Sequence, residues 1–199
     1  FLTNIDLANE VAILISQNPS VGWFYERMEF GPRALGSRSI LANACSPDMQ
    51  KRLNLQIKKR ESFRPFAPMV LLEETHNWFE WKVDTPSPYM LFTTQVSQRH
   101  LIAQTVPGVS SNSHEDLLSI VNQTRSSIPA VTHVDNSARI QTVDHTNHIY
   151  PVLRRFFEIT GIPVIVNTSF NVRNEPIVES PKDAIRCFLT TDIDVLAIE

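Results

Sequence analysis

Apolar residues recur along this chain in two rhythms, a period near 3.6 residues and short runs of four to six. Residues 4–17 follow the first, with Ile5, Ala8, Val11, Ala12 and Ile15 on one face, and predict an amphipathic helix. VGWFYERMEF (21–30) and SILAN (39–43) predict strands. Ser46-Pro47 places serine at an N-cap and proline at the first helical position, and the helix it opens has Met49, Leu53 and Ile57 as its core stripe. PMVLL (68–72), YMLFT (89–93), IPAVTHV (128–134) and ARIQTV (138–143) predict further strands. HIYPVLRRFFEIT (148–160) predicts a helix that holds Pro151 and ends at Gly161. PVIVNT (163–168) reads as a buried strand, Ser180-Pro181-x-Asp183 as the start of a last helix, and IDVLAI (193–198) as a closing strand. Helices and strands interleave, so the expected class is α/β with a mixed sheet. Ser97–Ser127 breaks the pattern. It is polar and serine-rich, and predicts a long loop around a short helix capped by Ser113 and Asp116 ahead of Leu117, Leu118, Ile120 and Val121.

Composition narrows the class. The chain has 199 residues, 42% of them hydrophobic and 20% charged, which excludes wholesale disorder. A chain of this size buries roughly 70% of its unfolded surface, enough for a sizeable core. No apolar run approaches the ~18 residues of a spanning helix. The first residue is Phe1, so a fragment of a longer protein is expected. No basic segment precedes the first apolar stretch, so it is not read as a signal peptide. Two distant cysteines, Cys45 and Cys187, make neither a disulfide framework nor a zinc site. Both read as buried thiols in a reducing compartment, hence a cytoplasmic location.

Net charge is -3, but it is unevenly spread. Arg27 to Arg64 holds nine Lys/Arg and three acids, a net of +6, leaving -9 for the rest. An acidic protein with one basic segment suits a scaffold around an anion site. Lys51, Arg52, Lys59 and Arg60 are read as a solvated helix face.

Three segments could carry chemistry. EFGPRALGSRS (29–39) holds two of the five glycines, Gly31 and Gly36, around Pro32, a stiff turn that presents Arg33 with Ser37, Arg38 and Ser39 nearby. A guanidinium fork matches phosphate or carboxylate oxygens. The same turn also fits a purely structural role, with its arginines in water. In IKKRESFRPFAP (57–68), Phe63 and Phe66 are expected to pack inward and, with Pro65 and Pro68, to brace a loop displaying Arg64, with Lys58 at the preceding helix end. VIVNTSFN (164–171) ends an apolar strand in Asn167, Thr168, Ser169 and Asn171; these can bind a ligand beyond a strand's carboxyl end or simply form a turn. A fourth piece, THVDNSARIQ, places His133, Asp135, Ser137 and Arg139 between strands, and His133 alone fits a structural role better than a catalytic one. P-loop, dinucleotide-fingerprint and nucleophile-elbow motifs are absent, and the six histidines offer no metal pair beyond an ambiguous His145 and His148.

Taken together, GPRALGSRSI, KKRESFRPFAP and NTSFNVRNEPIVESPKDAIRCF resemble the C-terminal domain of the NodU/CmcH-type O-carbamoyltransferases, from about residue 20 to 199. Tyr25-Glu26 departs from the family's usual polar residue and Gly. Asn174 replaces a common Gly, and Ser97–Ser127 is longer than usual. The resemblance implies a YrdC-like fold, an open twisted mixed sheet with flanking helices, over residues 1–199. It also implies an N-terminal actin-like ATPase-fold domain that is absent from this sequence.

The implied chemistry is formation of carbamoyl adenylate from carbamoyl phosphate and ATP, Mg²⁺ arriving with the nucleotide, before the N-terminal domain transfers the carbamoyl group to a hydroxyl. By resemblance, Arg33, Lys58 and Arg64 are the catalytic cations. Ser169 and Asn171 form a Ser-x-Asn element, Arg139 is a further anion ligand, and Arg38, Ser37 and His133 are weaker substrate-binding candidates. No metal site of the chain's own and no membrane are expected. Two rival readings remain: an RNA-binding YrdC-like module, disfavoured by the acidic balance and by aromatics expected to face the core, and a non-catalytic supporting domain.

Overall fold

A computed structural model describes residues 3–103, 121 and 123–199. The segment proposed to carry a short capped helix, Ser113 to Ile120, lies outside the described residues. The flanks of that stretch meet, since Ile102 N–H donates to the Arg125 carbonyl at 2.8 Å and Ser127 N–H to that of His100 at 2.9 Å.

The chain runs through α1 (Asn4–Ser16), β1 (Val21–Phe24), β2 (Arg38–Asn43), α2 (Met49–Arg52) and β3 (Ala67–Leu71). It continues through α3 (Thr75–Trp78), β4 (Thr93–Gln95), β5 (Ser137–Arg139) and β6 (Gln141–Val143), then α4 (Tyr150–Thr160), β7 (Val164–Ser169), α5 (Pro181–Leu189) and β8 (Val195–Ile198). Six strands form one sheet in the order β6-β3-β7-β2-β1-β8, and β4 and β5 form a separate antiparallel pair. Pairings of β1 with β8 and of β3 with β6 are parallel, while β1–β2, β2–β7 and β3–β7 are antiparallel. The architecture is thus an open α/β mixed sheet with flanking helices.

Both faces of the sheet are covered, which explains why the strands read as continuous apolar runs. Alternation divides them. Phe24, Ile40, Ala42, Val70, Val164 and Val166 face a core completed by Met49, Leu53, Ile57, Ala184 and Cys187. Trp23, Leu41, Met69, Val143 and Ile165 face the opposite core, closed by Ala8, Val11, Ala12 and Ile15 of α1 and Val152, Leu153 and Phe156 of α4. Ile5, placed on the apolar face of α1 by spacing, is 73% exposed, in the first turn of that helix.

Several boundaries differ from the sequence expectation. The strand expected over 21–30 stops at Phe24, because Glu26 takes a positive φ of 44° and turns the chain away. YMLFT is not a strand; Leu91 and Phe92 are exposed, and pairing begins only at Thr93. IPAVTHV is a 3-10 turn, Pro129–Val131, rather than a strand. ARIQTV is split, with Arg139 ending one sheet and Gln141 opening the other. The helix after Ser46-Pro47 starts at Met49 without a side-chain cap, and its second half, Leu53–Ile57, is a π turn. Its stripe of Met49, Leu53 and Ile57 is fully buried, as expected. Gly161 (φ 72°) ends α4, and Ser180 and Asp183 form a reciprocal capping box on α5. Cys187 is buried and Cys45 only half-buried, and both are free thiols. Among the described residues no helix is long and apolar enough to cross a membrane.

Candidate functional site

The three motif segments converge at one end of the sheet. Strand β7 finishes there in Asn167-Thr168-Ser169, β3 begins at Ala67, and β5 hands over to β6 past Arg139. Two cavities open at this end. One, of about 120 Å³, is lined by Arg33, Arg60, Phe66, Met90, Arg139, Asn167, Thr168 and Ser169, among others. The second, of about 340 Å³, is lined by Lys58, Arg60, Glu61, Arg64, Ser169, Asn171, Val172, Arg173 and Asn174. Arg60 and Ser169 belong to both walls.

Arg33 stands at the tip of a turn whose backbone is pinned from all sides. The Glu29 carboxylate accepts from Leu35 N–H at 2.6 Å and Ser37 N–H at 2.7 Å. Asn167 Nδ2 donates to the Ala34 carbonyl at 3.0 Å, Gln141 Nε2 to that of Leu35 at 2.8 Å, and His148 Nε2 lies 2.8 Å from that of Gly36. Gly31 and Gly36 adopt φ of 131° and 122°, a conformation that side-chain-bearing residues avoid. The expected stiff turn is therefore present, held by the Glu29 carboxylate at its own start and by the amides of Asn167 and Gln141 from other strands.

Lys58 follows the π turn, whose last step is Lys58 N–H to the Leu53 carbonyl at 2.8 Å. Lys59 takes a positive φ of 49°, so the two lysines diverge: Lys59 reaches toward Asp192 in solvent, and Lys58 turns inward to 4% exposure. Its Nζ donates to the Ser169 carbonyl and Oγ, the latter at 3.2 Å, to the Asn171 carbonyl at 3.1 Å and to Asn171 Oδ1 at 2.9 Å. All four acceptors are neutral. Burial, with the Arg60 guanidinium nearby, therefore pulls the ammonium down to about 7. Ser169 Oγ also donates to Asn171 Oδ1 at 2.7 Å, so lysine, serine and asparagine form one closed unit.

Arg60, read from sequence as part of a solvated face, stands between the cavities, with Nε donating to Asn54 Oδ1 at 2.6 Å and its guanidinium over the Phe66 ring. Nothing in the alternation of charges distinguished it; the signal available was its place between Lys58 and Phe66. Burial and the neighbouring Arg64 lower its pKa. Arg139 is lowered too, by burial and by Arg33 beside it. Arg64 is exposed; its Nε pairs with Glu61 at 2.9 Å, and its carbonyl accepts from Gln50 Nε2 at 3.2 Å and Asn54 Nδ2 at 2.8 Å. Phe66 is buried as expected, but Phe63 is 48% exposed, because Pro65 and the Asn54 hydrogen bonds brace the loop without it. Arg173 was also missed.

Three candidates fall outside both cavities. Arg38 is 4% exposed and its guanidinium is engaged elsewhere, donating to the carbonyls of Tyr25, Ser37, Glu26 and Glu179 and lying 3.4 Å over the Phe24 ring. Ser37 Oγ faces His148 Nε2 at 3.4 Å, on the far side of the Arg33 turn. His133 Nδ1 hydrogen-bonds Ser137 Oγ at 3.1 Å, inside a turn that Asp135 closes, and burial lowers its pKa. Of the three, Arg38 holds backbone carbonyls, while Ser37 and His133 bond neighbouring side chains.

Opposed to this concentration of cations, Glu61 is the only acid on either wall among the described residues. Several fixed cations converging on small polar cavities can bind two anions side by side. Two unit charges ~4 Å apart at an effective dielectric of ~20 repel by about 4 kcal/mol, which the site must offset.

The chain is 49% identical over its full length to an uncharacterized protein of Synechocystis (sll1178), of which it covers 32%. It is 40% identical over 97% of its length to nodulation protein NolNO of Sinorhizobium fredii, of which it covers 25%. It thus spans a third or less of these relatives' length. Among solved structures, full-length HypF matches 92% of this chain and 19% of its own, with a TM-score of 0.51 and 15% identity, a likeness of fold. The family profile described as the carbamoyltransferase C-terminus matches residues 12–199, and this chain belongs to that family.

Proposed function

We propose that the paired cavities bind carbamoyl phosphate and ATP side by side and form carbamoyl adenylate. The single observation that carries this reading is the convergence of Arg33, Lys58, Arg60, Arg64 and Arg139, from three distant segments, around Ser169 and Asn171. Water hydrolyses carbamoyl phosphate to carbamate and phosphate. A carbamate oxygen then attacks the α-phosphorus of ATP, forming the mixed anhydride as the bond to pyrophosphate breaks.

No covalent protein nucleophile is required. The side chains hold two anions in attacking distance and stabilise charge as it spreads over phosphoryl oxygens. The cavity walls supply cations and amides, and no cluster of three His, Cys, Asp or Glu residues suited to a metal occurs among the described residues. On this reading Mg²⁺ enters with ATP, as part of the substrate. Transfer of the carbamoyl group to a hydroxyl acceptor falls to an N-terminal actin-like ATPase-fold domain, for which the longer relatives have room. The setting is cytoplasmic.

The test is ATP–pyrophosphate exchange that requires carbamoyl phosphate. Exchange by this chain, alone or with the N-terminal domain, is expected. Absence of exchange in both, with no binding of either substrate at millimolar concentration, would leave a non-catalytic supporting domain. The exposure of Phe63 removes one argument against RNA binding, but the acidic overall balance still opposes it.

A further inference from the structure

We propose that Asn54 is a positioning residue that aims the Arg60 guanidinium into the two cavities, an inference that rests on reading them as an anion site. Asn54 is fully buried, within the π turn of Leu53–Ile57. One side-chain amide places three of its four possible hydrogen bonds on the loop that follows. Its Oδ1 accepts from Arg60 Nε at 2.6 Å, and its Nδ2 donates to the Ser62 carbonyl at 3.0 Å and the Arg64 carbonyl at 2.8 Å. Its own carbonyl accepts from Arg60 N–H at 3.0 Å.

Arg60 is therefore gripped at backbone and at Nε, while Phe66 supports the guanidinium plane at 5.0 Å. With Nε and one face occupied, the terminal nitrogens are left to the cavities that share Arg60 as a wall. A free arginine loses rotamer freedom when it binds an anion, and one already fixed does not. Single-turn π segments recur at functional sites, and here the widened turn carries the amide that sets the loop. Arg64 is also held at Nε, but by the exposed carboxylate of Glu61 at 2.9 Å, and Arg33 is exposed at the tip of its turn.

A double-mutant cycle separates positioning from stapling. Carbamoyl phosphate and, separately, pyrophosphate are titrated calorimetrically into the wild type, Asn54→Ala, Arg60→Ala and the double variant. Each single change is expected to weaken binding about tenfold, the scale of one charge-assisted hydrogen bond. The double variant should bind no more weakly than the worse single one. Losses that multiply, or wild-type affinity in Asn54→Ala, would overturn the proposal.

Arg60→Lys leaves the buried amide in place and so reads even if Asn54→Ala does not fold. It keeps the charge but offers no Nε–H to Asn54, and should bind nearly as weakly as Arg60→Ala; wild-type affinity would count against positioning. One measurement needs no ligand. The Arg60 Nε–H resonance should be distinct and slowly exchanging in the wild type and move to the free-arginine position in Asn54→Ala, whereas an unmoved signal refutes the grip. A wild type that binds pyrophosphate but not carbamoyl phosphate would retire the proposed substrate, while the cycle on pyrophosphate still decides the role of Asn54.

Discussion

Lys58 Nζ and Ser169 Oγ lie 3.2 Å apart, and Asn171 Oδ1 accepts from both. The contact spans 111 residues of sequence and joins the end of a π turn to the tip of a central strand. A cation at this point touches both the serine and the asparagine of the Ser-x-Asn element, so an anion recruited by one meets all three. Lys58→Met should lower carbamoyl-phosphate-dependent ATP–pyrophosphate exchange by at least ~100-fold, the scale of a lost charge-stabilising donor. Thermal unfolding should show a folded variant, because removing a buried charge also removes its desolvation cost. Exchange at the wild-type rate would reject the assignment.

The same lysine makes anion binding depend on pH. Its pKa in the folded, empty site is about 7, against 10.5 in a free chain. An anion favours the ammonium, so binding takes up a proton above pH 7. The Lys58 share of pyrophosphate affinity, read as the ratio of wild type to Lys58→Met at each pH, should be flat below pH 7 and fall above it, by up to about tenfold per pH unit. The stability sign is opposite. Between pH 7 and 10.5 the unfolded chain binds the proton more strongly, so ligand-free stability gains from this group as pH rises through that window. Calorimetry and chemical denaturation at pH 6.5, 7.5 and 8.5 check both.

The sequence made the frame legible where one rule dominated. Gly161 ended α4 and Ser180 with Asp183 opened α5, because caps are local chemistry. The buried runs gave β2, β3, β7 and β8 to within a residue or two. YMLFT and IPAVTHV misled, because β-rich composition says nothing about whether a partner strand is available. Site residues sorted by the same logic. Arg33, Lys58, Arg64, Ser169, Asn171 and Arg139 lie on the walls of the two cavities. Arg38 sits in the same motif as Arg33 yet points away, since strand alternation turns it toward Phe24. Arg60 depends on Asn54, a contact that no spacing rule reveals.

Arg38 leads to a prediction about folding rather than chemistry. Its guanidinium serves four carbonyls on three segments, and Glu29 stands nearby as a counter-charge. Arg38→Met should lower unfolding free energy by about 3 kcal/mol, as buried carbonyls lose their donors. Urea denaturation measures this. A variant as stable as the wild type but unable to bind pyrophosphate would instead return Arg38 to the ligand set.

Glu61 competes with any anion for Arg64. Its carboxylate lies 2.9 Å from Arg64 Nε, and Arg64 together with a hydrogen bond to its own backbone holds its pKa below the usual carboxylate range. It therefore stays charged at neutral pH, as the only acid on the cavity walls among the described residues. An incoming phosphate must draw Arg64 away from it. Glu61→Gln removes the competing charge while keeping the size of the side chain. It should tighten pyrophosphate binding about two- to fivefold at low salt, less at high salt, because an exposed pair is weak and screened. In an Arg64→Ala background the gain should shrink to the small long-range term. An equal gain with and without Arg64 would show that Glu61 acts on the whole basin and that Arg64 contributes no specific contact to the anion.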